Sequence, residues 1–409
     1  MGNLFSSPVE SALHSDPKII ENVQKNMIHE SSETMVSVPP VSLEDLKEFD
    51  FPKAGCTPLS LIGYDFQVEL HLHLDGAVRF ETLLDVSKSR GIPIKNDKTG
   101  EVATTIDEVK KMLITHTPAD LALVLAPFEI FLPVVRGCAH VVERIAYELC
   151  EDQHNNGVVY FEGRYAPHLL SGDDLDAAGV IAAVKKGFDR GEKDFGVKAR
   201  SILCAIRGLD AFTEQIITLA SDLKHLGVVG IDVAGSAHGA DEQYEPNVVT
   251  IFQEAYKLGI HRTVHAGESG GPKEMKRALT DMHAERIGHG YRVMREPDFY
   301  RERFVEDKSI HLEACPYSSV MTGAVELDWK HHPVATWAAD DVNFSLSRDD
   351  PTCFGNTMNS ELKLAKESIG LTTHQLWKAQ LNAAHACFLP EDEKQQLIEQ
   401  IKNAEPAQI

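Results

Sequence analysis

Two histidines one residue apart, His71 and His73, lie in the alternating stretch VELHLHLDGA at residues 68–77. On an extended strand Leu70, Leu72 and Leu74 point one way, and His71, His73 and Asp75 point the other. Two imidazoles on one strand face suit chelation of a single ion. His265 in GIHRTVHAGE and Asp349 in SLSRDDP would complete a set of three nitrogens and one carboxylate. Such a set suits Zn²⁺, with Fe²⁺, Mn²⁺ and Co²⁺ as competitors. Water on an ion of this kind has its pKa drawn towards ~7, which makes hydroxide available at neutral pH. Any one of these histidines alone reads more simply as a hydrogen-bonded core residue. Four such groups at three strand ends do not.

Acid–base candidates stand beside these ligands. Glu268 follows His265 by three residues, and a partly desolvated carboxyl there could donate a proton near pH 7. His289, between two glycines in ERIGHG, could orient or deprotonate a water. In Asp349-Asp350 the two carboxylates would divide the work, one on metal and one on water or substrate. Asp232 closes another strand-like run, VVGIDVAG at 228–235. That strand carries no lysine to bridge two ions, so a single ion is expected.

The elements that must position these groups follow a regular pattern. Apolar, β-branched runs recur at 68–74, 157–165, 199–206, 228–235, 259–268, 285–290, 309–316 and 342–350. Amphipathic segments such as 175–193, 211–225 and 246–258 separate most of them. Alternating strands and helices imply a parallel sheet, and eight strands imply an α/β fold, a closed (β/α)₈ TIM barrel. In that architecture chemistry sits at the C-terminal strand ends, where these histidines and carboxylates fall. The gap between the first two strands is long. It holds at least two helical segments, 81–90 and 120–153, and predicts a lid. Segments 372–386 and 391–403 predict closing helices. An open doubly wound sheet is the weaker alternative, because no GxGxxG follows the first strand and no P-loop is present.

Composition narrows the function classes. The chain has 409 residues, 43% of them hydrophobic, and a formal net charge of −22. That charge argues against nucleic acid as a partner, since a phosphate-backbone binder needs a basic patch. Seven scattered cysteines with no CxxC pair predict reduced thiols and a cytoplasmic setting. No apolar run reaches the length of a membrane span, and no secretory signal opens the sequence. The start MGNLFSS fits a myristoylation pattern at Gly2, though the pattern is short and degenerate. One acyl chain with no polybasic cluster would give only a weak membrane anchor. Residues 1–60 read as a partly disordered extension with one short helix near Pro17–Ile28, and 61–409 read as the barrel domain. A monomer is expected.

Other features carry less. His283-Ala-Glu285 has the H-x-E spacing of small zinc nucleobase deaminases but lacks their P-C-x-x-C partner, and Cys315-Pro316 has the wrong order. His331-His332-Pro333 reads as a loop. Cys315 and Cys353 have no obvious activating base and read as packing thiols.

Taken together, VELHLHLDGA, HNNGVVYFEGRYAPHLL, DFGVKARSILC, GIHRTVHAGE, ERIGHGY, EACPYSS and SLSRDDP resemble the adenosine deaminase family of metal-dependent hydrolases over residues from about 65 to 400. The resemblance implies zinc held by His71, His73, His265 and Asp349. It implies that Glu268 protonates purine N1, that His289 orients the hydroxide and shuttles its proton, and that Asp350 holds the water and purine N7. It places the Gly235 N–H on purine N3, His73 and Asp75 beside the substrate, and Asp75 on the ribose 5′-hydroxyl. The stretch ADLALVLAPFEIFLPVV matches an apolar lid helix, with Val124, Leu125 and Phe128 as candidates to cover the purine. The implied reaction converts adenosine, or 2′-deoxyadenosine, to inosine or 2′-deoxyinosine and ammonia in purine metabolism.

Two departures from the family pattern bear on substrate preference. Ser236 stands where many relatives carry an acid, and Arg348 stands immediately before Asp349. Arg348 turned into the site would lower carboxylate pKa values or meet an anionic group. Two other functions compete. One is deamination of an N6-substituted nucleotide such as N6-methyl-AMP, which Asp75 disfavours because a 5′-phosphate would meet a carboxylate. The other is a catalytically idle binding or growth-factor-like protein of this fold, which would tolerate a lost ligand, whereas none is lost here.

Overall fold

The computed structural model describes residues 66–236 and 242–406. Eight strands form the barrel: β1 (Gln67–His73), β2 (Val158–Tyr165), β3 (Lys198–Ile206), β4 (Val228–Ala234), β5 (His261–Ala266), β6 (Arg286–His289), β7 (His311–Ala314) and β8 (Phe344–Leu346). They lie side by side in chain order, each parallel to the next. Each coincides with one of the eight apolar runs. This order excludes the doubly wound alternative, which requires the strand sequence to reverse.

The ring closes between β8 and β1 through a single parallel bridge, Leu72 to Asp349. His73 N donates to Asp349 O at 3.0 Å, and Asp349 N donates to His71 O at 3.2 Å. Side chains complete this short seam. His71 N donates to Ser347 Oγ (3.1 Å), Val68 N to Gln380 Oε1 (2.7 Å) and Arg348 N to Glu69 Oε1 (2.9 Å). Buried backbone donors need such partners wherever a strand lacks a ladder neighbour.

The first strand is fully packed. Leu70, Leu72 and Leu74 are buried on one side, and His71 is buried on the other. Amphipathic helices cover the barrel, among them Ala177–Phe195, whose buried face includes Val180, Ile181, Val184 and Phe188. The closing helices run Thr373–Ala386 and Glu391–Asn403.

The insertion between β1 and β2 is richer than periodicity predicts. It contains α1 (Phe80–Arg90), a two-stranded hairpin (Ile94–Lys95 with Val102–Ala103), α2 (Ile106–Leu113), α3 (Leu121–Leu125), α4 (Pro127–Val135) and α5 (Ala139–Asn155). The 120–153 segment is three helices because Pro127 begins a new one, and Gly137, in the left-handed region at φ 72°, separates α4 from α5. Two backbone bonds fasten the insertion to the barrel mouth: Thr115 N to Cys353 O and Ala119 N to Met321 O, both 2.8 Å. Those acceptors follow β8 and β7, so the insertion rests on the loops that border the site.

Among the described residues no helix is long and apolar enough to cross a membrane. The Gly2 motif, the 1–60 extension and the short helix near Pro17–Ile28 lie outside the described residues.

Candidate active site

The C-terminal end of β1 delivers His71 and His73, β5 delivers His265, and the turn after β8 delivers Asp349. One potential ligand atom from each lies within 4.8 Å of all the others. His73 Nε2 is 3.3 Å from His265 Nε2, and Asp349 Oδ1 is 3.3 Å from His71 Nε2 and 3.4 Å from His73 Nε2. His71 Nε2 is buried with no hydrogen-bond partner. A buried nitrogen without a partner is costly unless something else satisfies it. Here its lone pair shares a small volume with two imidazoles and a carboxylate, which is the donor set of a divalent cation. The residues fit the ion that the sequence implies.

Outer groups fix these candidate ligands. His71 Nδ1 lies 2.7 Å from Glu313 Oε2, and His265 Nδ1 lies 2.9 Å from Asp232 Oδ2. A carboxylate at Nδ1 orients the ring and leaves Nε2 free to ligate. Arg164 joins the two carboxylates, donating to Asp232 and to Glu313 at 2.6 Å each. Arg286 and Thr263 donate further bonds to Glu313 at 2.7 and 2.8 Å. Burial opposes ionisation of Glu313, but Arg164 and Arg286 overcome it and hold the carboxyl well below the usual range. Asp232 is likewise ionised, with His265 and Arg164 outweighing its burial.

The acid–base candidates surround the cluster. Glu268 is buried just beyond β5, and its Oε1 has no hydrogen-bond partner. Burial, and then the Asp349 carboxylate, push its pKa up to about 8. It is therefore a protonated acid at neutral pH. His289 Nε2 lies 3.7 Å from Glu268 Oε2 and 3.8 Å from Asp349 Oδ2. Burial holds the His289 pKa well below the usual histidine range, so the ring is neutral. Asp349 is the opposite case. Burial raises its pKa, but His289, His71 and His73 pull it well below the normal range, and Ser318 Oγ donates to its Oδ2 at 2.6 Å. Asp350, one residue on, is pushed up by burial and by Asp349, and its buried Oδ1 is unpartnered. Adjacent carboxyls with pKa values driven apart is the expected pattern for divided roles.

His289 and Asp349 both take the left-handed conformation at φ 67°. Non-glycine residues held there cost about 1–2 kcal/mol, and such strain gathers at functional sites. Gly76 shows how closely the mouth is packed: a Cβ there would lie 1.8 Å from Asp350 Oδ1.

Asp75 is buried, accepts from Ala166 N at 3.1 Å through Oδ2, and keeps Oδ1 unpartnered. Burial raises its pKa to about 7. Gly235 follows β4 at φ 94°. Val124 is buried on α3, and Leu125 and Phe128 are half-buried, with the Phe128 ring 4.9 Å from that of Phe131.

Arg348 does not enter the site. It is buried against Glu69, Nη2 to Oε2 at 3.1 Å, and also donates to Gln153 at 2.9 Å. The side chain braces the β8–β1 seam and leaves no free cation beside Asp349. Glu285 of the H-x-E pattern pairs with His261 and Arg262 at the opposite strand ends and takes no part in the cluster. His332 is buried at the start of helix Pro333–Ala339, 3.0 Å from Ser319 Oγ, rather than in an open loop. Cys315 is closer than a packing thiol need be, since its sulfur lies within 4.8 Å of ligand atoms of His71, His289 and Asp349. Burial and Asp349 push its pKa well above the ordinary thiol value, which keeps it protonated and a poor ligand.

Sequence reasoning gave no role to Glu313, Arg164 or Ser318. For the first two a signal existed: each is a charged residue inside an otherwise apolar strand run, and buried charges are paired.

An eight-stranded barrel with three imidazoles and a carboxylate at its C-terminal mouth is the architecture of a metal-dependent hydrolase. The adenosine deaminase family profile matches residues 67–404, and the chain belongs to that family. It is similar to the adenosine deaminase of Gallus gallus, 39% identical over 352 residues that span 83% of this chain and 95% of the relative. Among solved structures it resembles an adenine deaminase from Arthrobacter aurescens, with TM-score 0.72 and 22% identity over 82% of this chain and 98% of the other, a likeness of fold. It also resembles the N6-mAMP deaminase of Arabidopsis, with TM-score 0.69 and 25% identity over 84% and 100% of the two chains. The chain is thus a hydrolytic deaminase.

Proposed function

We propose that this chain deaminates adenosine and 2′-deoxyadenosine with one zinc ion held by His71, His73, His265 and Asp349. The observation that carries the reading is the protonated Glu268 carboxyl facing this four-group cluster, inside a family whose relatives are adenosine deaminases. A zinc ion there would lower the pKa of a water towards ~7 and so supply the nucleophile.

The chain's own residues do the rest. Glu268 gives its proton to purine N1, which makes C6 electrophilic. Neutral His289 takes a proton from the attacking water. Protonated Asp350 donates to N7 and holds the water on its other side. The C6–O bond forms, and the C6–N bond breaks as the proton held by His289 leaves on ammonia. The second water proton, on the C6 hydroxyl, returns to Glu268 as the carbonyl forms, so adenosine and water give inosine and ammonia. The Gly235 N–H meets N3. His73 borders the substrate, and the free Asp75 Oδ1 meets the ribose 5′-hydroxyl. Val124, Leu125 and Phe128 cover the purine and keep bulk water away from the intermediate.

Arg348 bears on the nucleotide alternative. Its charge is consumed by Glu69, so it offers nothing to a 5′-phosphate. Turnover of adenosine and N6-methyl-AMP, measured side by side, tests the assignment. Adenosine should be the faster substrate by kcat/KM, and activity confined to the nucleotide would refute it. All of these residues lie on one chain, which supports a monomer as the acting form. The six cysteines among the described residues are free thiols, which supports a reducing, cytoplasmic setting for purine catabolism.

A further inference from the structure

Asp349 needs more support than its own hydrogen bonds give. It sits at φ 67°, at the bridge that closes the barrel, with its carboxyl 3.3 Å from His71 Nε2 and 3.4 Å from His73 Nε2. The peptide leading into it is fixed at both ends. Arg348 N donates to Glu69, and Arg348 O accepts from Asn356 Nδ2 at 3.0 Å. Asn356 Nδ2 also donates to Glu361 Oε1 at 2.7 Å. The second oxygen of Glu361 accepts from Tyr317 N at 3.1 Å. Tyr317 lies in helix Pro316–Met321, the helix that carries Ser318, whose hydroxyl binds Asp349 Oδ2.

Two separate routes therefore run from one carboxyl to the same residue. One passes through Asn356 to the backbone entering Asp349. The other passes through the helix after β7 to the side chain of Asp349. Glu361 is buried at 1% exposure on helix Met358–Leu364, whose start is locked by a Thr357–Ser360 capping box. Its carboxyl oxygens bond Asn356 and Tyr317, and among the described residues no hydrogen bond or ion pair joins it to the four-group cluster or to Glu268. A buried carboxyl on the surface helix of a barrel has no need to be there for packing alone.

We propose that Glu361 is a positioning residue that holds Asp349, and with it Asp350, in the reactive geometry by clamping Asn356 and the helix that carries Ser318. The proposal rests on Asp349 being a metal ligand of the adenosine-deaminating site. Burial pushes the Glu361 pKa up to about 8, so a neutral carboxyl can occupy this position without a cation of its own. A glutamine has one acceptor oxygen and can keep one of the two routes. An alanine keeps neither. Asn356 cannot turn its amide over to help, because Nδ2 is also needed at Arg348 O.

The test compares Glu361→Ala, Glu361→Gln and Asn356→Ala with the wild-type holoenzyme, and titrates each metal-free protein with Co²⁺. Glu361→Ala should bind Co²⁺ about 10–100-fold more weakly, the range seen when outer-shell support of a ligand is lost. The visible band of its cobalt form should shift. For adenosine, kcat should fall by a similar factor while KM stays within about twofold, since a loss confined to the transition state lowers kcat alone. Glu361→Gln should recover part of both losses, and Asn356→Ala added to Glu361→Ala should cost less than it does alone. If Glu361→Ala does not fold, Glu361→Gln and Asn356→Ala carry the same readings. A lowered Tm with unchanged Co²⁺ affinity, unchanged cobalt spectrum and full kcat would overturn the proposal. Failure of the wild type to deaminate adenosine would refute the functional reading, and the cobalt titration would still decide whether Glu361 positions Asp349.

Discussion

Glu268 and its neighbours show how local environment assigns a role to each carboxyl. Burial keeps the Glu268 proton on to about pH 8, whereas three histidines strip Asp349 of its proton. Because the raised pKa belongs to the acid form, activity that needs this proton is present below pH 8. It should fall as the pH rises through about 8 in a kcat/KM profile. Glu268→Gln should lower kcat by at least about 10²-fold, the usual scale for a lost general acid, while metal analysis finds the ion still bound. Asp232→Asn tests the tier behind the ligands. Zinc affinity should drop about 10–100-fold, measured by competition with a chelating dye. That these histidines and carboxyls would gather in one place was legible in the sequence because HxH, HAGE, GHG and DDP occupy strand ends. The orienting tier was not, because a residue such as Glu313 acts through partners on four other strands, and only three-dimensional proximity reveals them. Arg348 is the clearest divergence. Its position beside Asp349 suggests an active-site charge, yet consecutive residues leaving a strand point to opposite sides, and Glu69 captures it.

At the scale of elements, the β8–β1 seam decides the geometry. A single bridge closes it, so side chains stand in for a ladder, and Arg348 is central among them. Arg348→Ala would leave Glu69 buried without its ion-pair partner, and should destabilise the fold by about 3–5 kcal/mol in denaturant unfolding. The turn after β1 is as constrained. Gly76→Ala drives a methyl into Asp350, and a displacement of about 1 Å can cost ~10²-fold in rate. Thermal unfolding should change much less than kcat, and an unaltered kcat would contradict the packing. Strand and helix positions followed from apolar periodicity because the barrel strands are buried runs between amphipathic helices. The hairpin and the division of segment 120–153 into three helices did not. They depend on Pro127, Gly137 and tertiary anchoring to Cys353 O and Met321 O, which carry no periodic signal.

For the whole molecule, the barrel collects groups from β1, β4, β5, β6 and the turn after β8 into one mouth beneath an insertion from the first crossover. The proposed metal cluster would tie the two ends of the ring together, since His71 and His73 come from the first strand and Asp349 from just beyond the last. Ion binding should therefore stabilise the fold as well as activate it. Chelation should lower Tm, and free zinc at about 1,000 times its Kd should contribute ~4 kcal/mol relative to the metal-free protein. The most direct test of the central claim is ammonia release from adenosine by protein stripped with a chelator, before and after zinc is restored. The account predicts no release before, full release after, and none at any zinc level from Glu268→Gln. Undiminished adenosine deamination by the stripped protein, or by Glu268→Gln, would contradict it.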